Sequence, residues 1–84
     1  ENVGKNGVVR NPEVHRQVLC DILSWCLESE FVIRGLTFSP VRGPKGNIEF
    51  LLYLCKAHSI QQTLNIKELV FKVVKEAYAE FGLQ

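Results

Sequence analysis

The chain has 84 residues, 46% of them hydrophobic and 23% charged, with a formal net charge of +1. This is ordinary globular composition, which excludes intrinsic disorder, and a charge this small supplies no electrostatic footprint for nucleic acid by itself. No apolar run approaches the roughly 18 residues of a membrane-spanning helix, and the polar N-terminus does not read as a signal peptide.

One small α/β domain with a marginal core is expected. Residues 1–10 (ENVGKNGVVR) hold two glycines, two asparagines and two basic residues. They read as a loop, and the Gly4-x-x-Gly7 spacing matches neither a P-loop nor a dinucleotide fingerprint. The chain opens at Glu1 inside this loop-like stretch, which suggests a piece of something longer. Asn11-Pro12-Glu13 is a helix start: a capping side chain, a proline suited to the first helical position and an acid at the positive end of the dipole. Val14, Val18, Leu19, Ile22, Leu23 and Cys26 then recur at helical spacing, with Trp25 and Leu27 widening the stripe, and the helix should stop near Glu28-Ser29. His15 and Arg16 fall on or beside the polar side, and His15 reads as a solvated residue rather than a ligand or base.

Phe31–Phe38 (FVIRGLTF) is rich in β-branched and aromatic residues and reads as a strand, with Gly35 marking a bulge or a close contact. Ser39-Pro40 ends it, because proline cannot donate to a ladder. Val41–Gly46 (VRGPKG) is turn chemistry. Asn47–Cys55 (NIEFLLYLC) reads as a second strand, antiparallel to the first because the connection is short. Ile48, Phe50, Leu52 and Leu54 would share one face and Leu51, Tyr53 and Cys55 the other, with Glu49 in that second row. A strand apolar on both faces belongs inside a covered sheet. Two strands and two helices cannot readily cover both faces, so neighbouring elements beyond this stretch are expected.

A polar connector over Ala57–Leu64 leads to a final helix. Asn65 and Glu68 form its capping-box pattern, and Leu64 and Leu69 a hydrophobic staple. Ile66, Leu69, Val70, Val73, Val74, Ala77, Tyr78 and Phe81 form its apolar face, and Gly82 its stop. The order is α-β-β-α. Cys20, Cys26 and Cys55 lie in apolar stretches. Their odd number, without a C-x-x-C pair, argues against a disulfide framework or a zinc site and suits a reducing, cytoplasmic compartment.

Glu49 is the sharpest candidate for chemistry. A carboxylate in an apolar strand is costly to bury without a partner. It is tolerated where it meets a cation or, less interestingly, where a strand end reaches solvent beside a turn. Arg42, Lys45, Lys5 and Arg10 could hold phosphate, although surface cations usually do nothing specific. Ser39 has no evident histidine and acid partners and no G-x-S-x-G elbow. His15 and His58 are not spaced for a metal with any cysteine.

Two stretches carry a resemblance. Residues 3–19, VGKNGVVRNPEVHRQVL, resemble the pattern VGKGGVVRDPEVHREV. Residues 36–54, LTFSPVRGPKGNIEFLLYL, resemble LTxSPIxGPxGNxEFLLxL. In this order they resemble the C-terminal part of the hemolysin A (TlyA) family of FtsJ-like ribosomal RNA methyltransferases. Asn6 stands where glycine is usual, and Asn11, where aspartate is usual, keeps the capping role. The resemblance implies that residues 1–84 are the C-terminal portion of a Rossmann-like methyltransferase domain whose last two strands form a hairpin. The parts that bind S-adenosylmethionine would lie upstream, so the cofactor would not bind this chain and the chain alone would be inactive. It also implies that Glu49 matches the glutamate of a Lys-Asp-Lys-Glu catalytic set acting on a ribose 2′-hydroxyl of ribosomal RNA. Ser39, Arg42, Gly46 and Asn47 would shape the adjacent mouth. A membrane-active hemolysin, or an interaction domain that pairs through its strand edge, are the alternatives.

Overall fold

A computed structural model of the chain describes residues 11–57 and 62–83. The readings made on residues 1–10, Lys5 and Arg10 among them, and on His58 lie outside these residues. Helix α1 (Pro12–Glu28) leads into strand β1 (Phe31–Phe38); a single 3₁₀ turn at Pro44–Gly46 precedes strand β2 (Phe50–Lys56), and helix α2 (Ile66–Glu80) follows. The expected α-β-β-α order is therefore present.

The helix ends follow from their capping residues. Asn11 accepts the Glu13 N–H at 2.8 Å and Asn65 accepts the Glu68 N–H at 3.0 Å, each satisfying one orphan amide of a first turn. At the other end of α2, Gly82 takes φ +69 and the Leu83 N–H returns to the Tyr78 carbonyl at 2.8 Å. This is a Schellman ending, and the left-handed step is one that glycine makes without strain.

β1 and β2 form a two-stranded antiparallel sheet. Phe38 faces Phe50 near the turn and Phe31 faces Lys56 at the far end. Ile33 opposes Leu54 and Gly35 opposes Tyr53, so Arg34 is an extra residue and the strand bulges there. Gly35, read as marking a bulge or a close contact, directly follows the bulged Arg34, and its α-carbon lies against the Tyr53 ring, which would sit 3.5 Å from an added Cβ. The outer edge of β1 meets a side chain. The Gln62 amide accepts the Ile33 N–H at 2.7 Å and donates to the Ile33 carbonyl at 2.9 Å, completing there the pair of bonds another strand would make.

The helix backbones lie closest to β1, and β2 reaches the helix layer through side chains such as Phe50, whose ring meets His15. Leu23, Val70, Val74 and Cys26 are the largest fully buried side chains. Removing a leucine or valine of this kind from water is worth about 1.5–3 kcal/mol. Ile33, Leu36 and Ile48 close the core from the sheet side.

Three expectations change. First, β2 starts at Phe50 and not at Asn47. The chain over residues 47–49 still carries the turn, because the Asn47 carbonyl is bonded to Gly43 and only at Glu49 does the backbone rejoin β1, through the Ser39 N–H. Second, α1 buries His15, Leu19, Leu23 and Cys26, whereas Ile22 is 44% and Trp25 60% exposed. An apolar-rich helix offers more than one plausible stripe, and packing against α2 and β1 selects this one. Third, His15 is buried and not solvated. Its Nδ1 lies 2.5 Å from the Tyr78 hydroxyl, and its ring meets Phe50 and Tyr78 edge-on. A partner 63 residues away supplies the bond that makes burial tolerable.

Candidate functional site

The site is built at the turn end of the hairpin. Ser39 fixes its first corner: its N–H donates to the Glu49 carbonyl at 2.8 Å, and its Oγ accepts the Val41 N–H at 3.2 Å. The hydroxyl is thus a turn-forming group. Gly43 fixes the second corner, donating to the Asn47 carbonyl at 2.6 Å and accepting from the Gly46 N–H at 3.1 Å. Lys45 and Gly46 follow with φ +58 and +78, a left-handed pair that reverses the chain.

Arg42 is committed to the turn. Its Nε–H donates to the Gly46 carbonyl at 2.8 Å, and its guanidinium stacks 5.4 Å from the centroid of the Phe81 ring. Phe81 also meets Phe38 edge-on, so the hairpin turn is anchored on the C-terminal end of α2. Glu49 directly precedes β2. Its side chain is exposed, while the flanking Ile48 is buried at 5%. The alternation expected of this segment holds as far as Leu52: Ile48, Phe50 and Leu52 turn toward the helices and Glu49, Leu51, Tyr53 and Cys55 outward, whereas Leu54, expected on the inner face, is 37% exposed where β2 runs past the helices. Leu51 and Tyr53 are 40% and 55% exposed, so the outward row is apolar and bare with Glu49 at its head.

The Glu49 carboxylate lies on the α-carbon of Gly43, and a Cβ there would come within 2.5 Å of Oε2. Among the described residues, Glu49 has no ion pair. The structure thus brings Ser39, Gly46, Asn47 and Glu49 into one turn, with Arg42 bracing it from the α2 side. Gly43 was not singled out from sequence; its place in a Gly-Pro step read only as turn chemistry. Phe81 was read as core, and its contact with Arg42 depends on two segments meeting in space.

A groove elsewhere, between α1 and α2, is lined by Glu13, Arg16, Gln17, Lys67 and Phe71. Its charges are of mixed sign, and Arg16 stacks 5.1 Å over Phe71. Cys20, Cys26 and Cys55 are free thiols, and burial pushes the Cys26 thiol up. Among the described residues no helix is long and apolar enough to cross a membrane.

No protein-family model matches the chain. A Bacillus subtilis protein described as "Putative rRNA methyltransferase YqxC" is 42% identical over 79 residues, which is 93% of this chain and 28% of that protein. Hemolysin A of Brachyspira hyodysenteriae is 33% identical over 52 residues, 62% of this chain and 22% of that protein. Among solved structures, a "Putative hemolysin from Streptococcus thermophilus" superposes with a TM-score of 0.83 at 37% identity, over 96% of this chain and 28% of that one. This chain is homologous to one segment of these proteins. A Lactococcus lactis protein, also described as a putative hemolysin, superposes with a TM-score of 0.61 at 38% identity, over 84% of this chain and 35% of that one. The resemblance to the hemolysin A family is thus borne out, and the chain spans about 28% of the YqxC protein's length. The helix–strand–strand–helix arrangement is that of the hemolysin-type structures over the same segment.

Proposed function

We propose that residues 1–84 form the C-terminal portion of a cytoplasmic, S-adenosylmethionine-dependent methyltransferase acting on a ribose 2′-hydroxyl of ribosomal RNA. In this reading the segment is inactive alone and contributes Glu49 to the catalytic set of the whole enzyme. The observation that carries it is the state of Glu49. It is an exposed carboxylate held over Gly43, without an ion pair among the described residues, while the adjacent Arg42 is bonded to Gly46 and stacked on Phe81. A carboxylate held in this way fits a cation brought to it in the whole enzyme. The homology to a protein described as an rRNA methyltransferase supports the reaction class.

The chemistry gives the carboxylate a defined task. A ribose hydroxyl is a weak nucleophile and needs a base beside it, and a lysine serves if its pKa is lowered. Burial and neighbouring cations lower it, while a carboxylate holds the side chain in place and favours its charged form. Glu49 would therefore orient and tune a lysine and attack nothing itself. The described residues do not fit the methyl donor: the hairpin turn and the two helix starts offer no glycine-rich loop between a strand and a helix. Ser39, Gly46 and Asn47 shape the turn beside Glu49, and Arg42 braces it.

In the full-length enzyme, Glu49→Ala should leave the circular dichroism spectrum and thermal midpoint unchanged. Methyl incorporation into ribosomal RNA should fall by about 100-fold or more, the range of a general acid–base contribution. Wild-type turnover in this variant would overturn the assignment.

A further inference from the structure

Glycine at position 43 has no backbone explanation. Among the described residues the positive-φ glycines are Gly46 and Gly82, so Gly43 keeps a conformation open to any residue. What it lacks is room: an added Cβ would lie 2.5 Å from Glu49 Oε2, 2.8 Å from its Cδ and 2.9 Å from its Cγ. All three distances are far inside ordinary carbon contact. Neither backbone can retreat easily. Gly43 is bonded on both sides, to Asn47 and to Gly46, while Glu49 is tied to Ser39 through its carbonyl and follows the buried Ile48. The overlap would therefore be relieved in the one movable part, the Glu49 side chain, whose carboxylate would swing off its present position.

We propose that Gly43 is a positioning residue for Glu49, its bare α-carbon forming the seat that fixes where the carboxylate points. The inference rests on the catalytic reading of Glu49 and adds to it the feature of the turn that aims the group. A methyl group at position 43 removes no functional group and changes only where the Glu49 carboxylate points, and misplacing a reacting group by about 1 Å can cost on the order of 100-fold in rate.

The test is a double-mutant cycle in the full-length enzyme with wild type, Gly43→Ala, Glu49→Ala and the double variant, measuring kcat and KM for ribosomal RNA and for S-adenosylmethionine. Gly43→Ala should lower kcat by about 10- to 100-fold with both KM values held within about twofold, since the lost contact matters only to the reacting geometry. It should cause no further loss in the Glu49→Ala background. If Glu49→Ala is inactive while Gly43→Ala keeps wild-type kcat, or if the two losses multiply, the positioning role is overturned and the reading of Glu49 stands. If Glu49→Ala itself retains turnover, that reading fails instead, and the positioning role falls with it. Should Gly43→Ala be unstable, the same cycle is read in thermal midpoints. The double variant must then recover the midpoint of Glu49→Ala, because the added methyl has nothing left to meet; failure to recover overturns the proposal.

Discussion

His15 and Tyr78 join the two helices through one polar contact inside an otherwise apolar layer. Burial lowers the His15 pKa from its ordinary value, so the folded chain holds the ring neutral to lower pH than the unfolded chain does. Between the lowered folded value and the ordinary one of about 6.5, the unfolded state binds more protons. The contribution of His15 is therefore complete above that ordinary value and is lost as pH falls through it. The thermal midpoint should drop as pH is lowered from about 7.5 to 5, and His15→Leu should remove most of that slope. Burial raises the Tyr78 pKa, with Arg16 opposing, which keeps the phenol out of this window. Tyr78→Phe should cost about 1–3 kcal/mol by leaving a buried ring nitrogen without its partner, measured by urea denaturation at neutral pH. A native chain whose midpoint is flat over this range would contradict the account.

At the level of elements, the hairpin depends on a side chain that neither strand contains. Gln62 fills the outer edge of β1 at Ile33, one residue before the Arg34 bulge. Gln62→Ala should lower stability by about 1–2 kcal/mol through the two lost bonds. It should also speed amide hydrogen exchange at Ile33, and unchanged exchange there would show that the cap does not protect this edge. This bond pair was not legible in the sequence, where residues 57–64 read only as a polar connector, because the contact spans 29 residues and leaves no local pattern. The strand Phe31–Phe38, both asparagine caps and the apolar face of α2 were legible, since each is written in short-range spacing or capping chemistry. His15 was misjudged because its burial is decided by Tyr78 and Phe50, both distant in sequence. For the site, Glu49 stood out as a charge in an apolar run, whereas the fit of Gly43 against it exists only after the turn has closed.

For the molecule as a whole, the uneven cover of the sheet matters most. The helices lie over β1, and the outward row Leu51, Tyr53 and Cys55 on β2 is bare. In isolation the chain should therefore associate through β2, and sedimentation should show a concentration-dependent species that Tyr53→Lys weakens. A strictly monomeric chain would count against this. The Gln62 bonds would also bear on how far such association could go. Two copies meeting edge to edge along β2 would be related by a two-fold axis and would each turn the capped flank of β1 outward. At Ile33 each outer flank is already bonded to Gln62 and would offer a third copy no ladder bonds there. Were copies to pair along β2, the amide of one glutamine would stand as a stop on each outer flank, where an uncapped hairpin could extend into a fibre.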